Sequence, residues 1–61
     1  MRGPLLGRRV RRYWDTHTVE YPATVGVIEH IFNVDSVCWI VVRLEDNSFT
    51  EWMLHDCVEV D

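Results

Sequence analysis

Catalytic or metal chemistry in a chain of 61 residues would have to come from its two cysteines, three histidines and ten acids. Their spacing does not supply it. Cys38 and Cys57 do not form Cys-x-x-Cys, and His17, His30 and His55 lack the spacing of metal ligands, so no zinc site is expected. His55-Asp56-Cys57 sets a base near a thiol in sequence. Neighbours in a strand or turn point in different directions, so this trio does not pair a nucleophile with a base. We therefore expect no enzyme, no metal and no cofactor. Charge points elsewhere. All six basic residues are arginine, and Arg2, Arg8, Arg9, Arg11 and Arg12 fall in the first twelve positions. Beyond residue 12 a single arginine faces ten acids. Such a body disfavours wrapping nucleic acid and favours a cationic ligand. The segment containing Arg8, Arg9, Arg11 and Arg12 is a candidate contact for nucleic acid or an acidic partner. The competing reading is a solvated strand face paired with the acidic remainder.

The elements that would position these residues are strands. No stretch keeps apolar residues at i, i+3, i+4 and i+7 over three turns, and β-branched and aromatic residues alternate with turn formers. We read a flexible lead over residues 1–7 and one domain over 8–61. Strands are predicted at about Arg8–Trp14, Tyr21–Phe32, Val37–Leu44, Phe49–Leu54 and Cys57–Val60. Turns are expected at Asn33-Val34-Asp35-Ser36 and Asp46-Asn47-Ser48, with one 3₁₀ turn at His55-Asp56. In the third strand Cys38, Ile40, Val42 and Leu44 share one face, and Trp39, Val41 and Arg43 share the other. Both faces are largely apolar, which predicts a central strand covered on both sides. Gly26 inside the second strand is expected to mark a bulge or bend. Five short strands with tight turns predict an all-β fold, a small five-stranded barrel. Its expected core is Val10, Val25, Val27, Cys38, Ile40, Val42, Leu54 and Val58.

With those elements placed, the sequence resembles a family. Gly7-Arg8-Arg9-Val10-Arg11-Arg12-Tyr13-Trp14 followed by Tyr21-Pro22-Ala23-Thr24-Val25 is similar to the opening of Tudor domains, which are SH3-like barrels. Val41-Val42-Arg43-Leu44-Glu45-Asp46-Asn47-Ser48 resembles their acidic hairpin, with a turn like that of the Polycomb-like subgroup. Trp52-Met53-Leu54-His55-Asp56 resembles their exit into a 3₁₀ turn. The resemblance implies an aromatic cage for a methylated lysine or arginine on a basic peptide such as a histone tail. A methylated ammonium is poorly hydrated, and each aromatic face that takes it contributes about 0.5–2 kcal/mol. By resemblance the cage falls on Trp14 and Tyr21, with a further aromatic at Phe49 or, one residue on, Thr50. The acidic partner falls on Glu45 or Asp46. The third-strand aromatic falls on Leu44, which offers no quadrupole. The implied setting is the nucleus.

Three alternatives accompany this reading. A barrel with a degenerate cage would bind an unmodified protein segment, for instance by strand addition. The arginine segment would contact nucleic acid. Exposed Phe32, Trp39 and Val41 would make a homo-oligomer. A membrane partner is not expected, since no apolar run approaches the roughly 18 residues a span needs. Cys38 and Cys57 are read as free thiols in an intracellular protein.

Overall fold

Strand formation follows the expected order, with boundaries set by turns. The computed structural model describes residues 5–16 and 23–60. They form β1 (Arg9–Arg12), β2 (Gly26–Val34), β3 (Val37–Leu44), β4 (Phe49–Met53), one 3₁₀ turn (Leu54–Asp56) and β5 (Cys57–Glu59). All pairings are antiparallel. They make one sheet in the order β4-β3-β2-β1-β5. The sheet keeps two edges, β4 and β5, and is not closed.

Each boundary has a local cause. β1 stops two residues short of Trp14 because the Asp15 amide donates back to the Arg12 carbonyl at 3.0 Å and turns the chain. β2 begins at Gly26 rather than Tyr21, and the Tyr21 end of that prediction lies outside the described residues. It runs two residues past Phe32 because the turn is only Asp35 and Ser36, with φ of 50° and 67°. Two positive φ values in a two-residue loop match the right-handed twist of the flanking strands, so Val34 pairs directly with Val37. At the next hairpin Asn47 takes φ 68°. There the Asp46 carboxylate accepts from both the Ser48 amide and its hydroxyl. The lead is anchored from Leu5: Gly7 donates to the Ile28 carbonyl at 2.8 Å, and Leu5 packs on the core.

The core is Val10, Ile28, Ile40, Val42 and Trp52. Full burial of such side chains contributes about 1.5–3 kcal/mol each. Ile28 replaces the expected Val25 and Val27, which are half-buried. Gly26 explains the phase. A Cβ there would lie 2.0 Å from Val42 Cγ1 and 3.0 Å from the Arg43 carbonyl. The residue therefore permits close approach of β2 to β3, and with Gly26 inward Ile28 is inward too. The bulge lies later, at Glu29, between Ile28 and His30. It re-phases β2 so that Ile31 again faces the core. Cys38 and Leu54 are half-buried rather than buried, and Val58 is exposed because it pairs with outward Arg11. β3 is central, but its second face is only half-covered. Trp39 and Val41 are screened by their cross-strand neighbours Phe32, Met53, His30 and Glu51, with no second layer above them among the described residues.

Candidate ligand-binding site

Alternation along β1 sends Val10 and Arg12 inward and Arg9 and Arg11 outward. The same rule on β4 sends Thr50 and Trp52 inward, opposite Val42 and Ile40. Arg12 and Trp52 therefore meet on the core side of the sheet. The Arg12 guanidinium carbon lies 4.6 Å from the Trp52 ring centroid and 4.4 Å from that of Trp14, over both rings. Trp14 stands just past the end of β1, where the Tyr13 amide donates to the Asp56 carbonyl at 2.7 Å and ties the turn to the 3₁₀ segment. Its indole is 56% exposed, so the ring covers Arg12 on one side and meets solvent with the rest.

Polar contacts around this stack are sparse. Arg12 Nη2 donates to Asp15 Oδ2 at a long 3.5 Å, and Arg12 Nε is buried with no partner. Asp15 Oδ2 also accepts from the Thr24 amide at 3.0 Å. Through Thr24 the turn reaches a groove lined by Ala23, Thr24, Val25, Leu44, Glu45 and Asp46. Both acids there are exposed. The hydrogen bonds from Ser48, side chain first and backbone second, hold the Asp46 carboxyl below its usual value, so it stays charged.

The sequence-derived site is thus divided. Trp14, Glu45 and Asp46 border the same end of the sheet, connected through Asp15 and Thr24. Phe49 does not join them: it pairs with Arg43 on the outer face, is 63% exposed, and lines a separate groove with Val41 and Glu51. Thr50, the other choice one residue on, is the inward one. Tyr21 and His17 lie outside the described residues. The arginine segment is engaged within the chain. Arg8 pairs with Glu59, Arg12 with Asp15, and Arg11 donates to the carbonyls of Arg12 and Tyr13 at 3.1 and 3.3 Å. The Arg12–Trp52 contact escaped sequence reading. Its signal was present in the alternation, because an arginine two residues after an inward valine must itself point inward.

Cys38 and Cys57 are free thiols. Burial pushes the Cys57 thiol up, with Asp56 adding to the shift. Its Sγ–H donates to the Met53 carbonyl at 3.4 Å. Among the described residues no group of His, Cys, Asp and Glu side chains could hold a metal ion, and no helix is long and apolar enough to cross a membrane. No protein-family model matches the chain, nor does any curated protein or solved structure.

Proposed function

We propose that this chain is a non-catalytic binding module for a basic peptide, with Trp14 as aromatic wall and Glu45 and Asp46 as the acidic partners. One observation carries the reading: a largely exposed indole stands at the end of β1, tied through Asp15 and Thr24 to a groove whose charged residues are both acids. The finer form of the proposal takes the sheet as the Tudor-like, SH3-like barrel that its sequence resembles. The ligand is then a methylated lysine or arginine, with a histone tail and a nuclear setting as the natural context. Leu44 and the outward Phe49 leave fewer aromatic walls than a full cage. Affinity is accordingly expected in the high micromolar range or weaker, since about 1.4 kcal/mol separates each tenfold step.

The test is an NMR titration of ¹⁵N-labelled protein with two matched basic peptides, one carrying trimethyl-lysine and one unmodified. Shifts centred on Trp14, Thr24, Glu45 and Asp46, larger for the methylated peptide, are expected. Shifts along β4 that are equal for both peptides would replace this reading with strand addition. Shifts confined to Arg8–Arg11 on adding an oligonucleotide, with none from either peptide, would replace it with a nucleic-acid contact.

A further inference from the structure

The Trp14–Trp52 slot already holds a cation, and the way it is held has a consequence for binding. A guanidinium carries five N–H donors. Where Arg12 sits, its Nε–H is buried without an acceptor, and Nη2 has only the 3.5 Å contact to Asp15. That carboxylate oxygen is shared with the Thr24 amide. The side chain remains 27% exposed, so a path to water is open. The slot thus supplies two ring faces at 4.4 and 4.6 Å and almost no hydrogen-bond acceptors. This suits a cation that has no N–H to satisfy, and suits guanidinium or ammonium poorly.

We propose that Arg12 is a built-in competitor, a plug that a ligand's trimethylammonium group displaces to enter between Trp14 and Trp52. The proposal rests on the binding-module reading above and gives it a selectivity. Trimethyl-lysine enters because it leaves no donor unpaired. Unmodified lysine would bring three donors into a slot whose protein acceptor is one shared carboxylate oxygen, and would give up hydration to enter. Displaced, the Arg12 head regains hydration while its aliphatic stem stays along β1. The plug also makes the wild-type chain a weaker binder than its two rings would allow, because a ligand gains only the difference between its own stacking and that of Arg12.

The experiment compares wild type, Arg12→Lys and Arg12→Met by titration with the trimethyl-lysine peptide and its unmodified counterpart. The readout is the indole N–H signals of Trp14 and Trp52. Methionine keeps a straight apolar stem against Trp52 and removes the charge. Lysine keeps the charge but is more strongly hydrated and stacks less well. Affinity for the methylated peptide is expected to rise from wild type through Arg12→Lys to Arg12→Met. The full gain is about tenfold, equivalent to about 1.4 kcal/mol. A second arm uses the wild-type chain alone and tetramethylammonium chloride, against matched sodium chloride. The Trp52 indole and the Arg12 Nε–H signals should move together as the plug leaves. If wild type shows methyl-dependent shifts but the Arg12 variants bind no more tightly, the plug is refuted and the module stands. So it is if tetramethylammonium moves Trp52 without Arg12. If none of the three proteins distinguishes the peptides, the module reading falls and the plug with it. Should Arg12→Met fail to fold, Arg12→Lys and the tetramethylammonium arm still decide the matter.

Discussion

Trp14→Ala tests whether the exposed indole is the ligand wall proposed above or a residue that holds the fold, and its cost can be worked out. An indole presents about 200 Å², and Trp14 is 56% exposed, so a little under half is covered. At about 25 cal/mol per Å² that covered part is worth about 2 kcal/mol as an upper bound. Alanine retains some of it, while the lost stacking on Arg12 at a partly exposed position adds about 0.5–1 kcal/mol. The expected net loss is about 1–2 kcal/mol. A domain of this length has a total stability of about 3–9 kcal/mol. The variant should therefore stay folded near 15 °C, with a midpoint lowered by about 5–15 °C. Ile40, at 0% exposure, is the contrast: Ile40→Ala should cost about 2–5 kcal/mol and remove most of the stability. The assay is a thermal melt by circular dichroism beside the paired-peptide NMR titration. Methyl-dependent binding should vanish in Trp14→Ala while the strand signals persist. If Trp14→Ala unfolds as Ile40→Ala does, the indole is a core residue. If it binds the methylated peptide as wild type does, it is no wall of the site.

Gly26→Ala should destabilise by about 1–3 kcal/mol or more, since the new Cβ meets Val42 Cγ1 at 2.0 Å and a backbone oxygen at 3.0 Å; a urea melt unchanged from wild type would contradict this packing. The Cys57 thiol, raised by burial, holds less thiolate at any given pH, so native protein at pH 8 should alkylate there more slowly than the denatured chain; peptide mass mapping after brief iodoacetamide exposure checks it. The Asp46 carboxyl is depressed in the folded state, so its contribution to the β3–β4 turn is present above the unfolded value and fades as pH falls through the folded one. Ser48→Ala should move the Asp46 carboxyl ¹³C titration upward, and an unmoved curve would show that Ser48 is not the cause.

The succession of strands along the chain and both hairpins were legible because each turn is encoded locally; the pairing of β1 with β5, which sets the sheet order, carries no local signal. Asp35-Ser36 and Asp46-Asn47-Ser48 carry side chains that tolerate positive φ or bond their own backbone. Phase in β2 was not legible. Val25, Val27 and Ile28 are all good core residues, and only the contact of Gly26 with Val42 decides that Ile28 goes in. That contact is non-local and carries no signature in composition. Glu29 hid the bulge for the same reason, since an acid mid-strand looks like any solvent-facing position until the register with β3 is known. Trp14, Glu45 and Asp46 were singled out by resemblance alone; the structure shows that all three are exposed beside turns. The outward direction of Phe49 followed from its pairing with Arg43, a one-residue matter that sequence spacing left open.

Opposite charges on β1 and the rest of the chain find one another mostly within the molecule. Arg8 and Arg43 form exposed pairs with Glu59 and Glu29, which contribute little stability each, and Arg12 makes the long, half-buried contact to Asp15. Their larger effect is on what is left over. Among the described residues, the acids of the β3–β4 hairpin, Glu45 and Asp46, take part in no ion pair, and neither does Glu51 on the edge strand β4. Glu45 and Asp46 thereby leave negative charge at the β3–β4 hairpin, while Asp35 and Asp56 also stand outside these pairs and Arg9 and Arg43 line the neighbouring cavity with Glu45. If the proposed cationic partner docks at Glu45 and Asp46, its association should slow as salt rises, on the scale of the Debye length, about 8 Å at physiological ionic strength. Arg12 fits the same logic from inside. Its weak tie to Asp15 leaves it held chiefly by aromatic faces, and those are the contacts that the proposed methylated cation would have to replace.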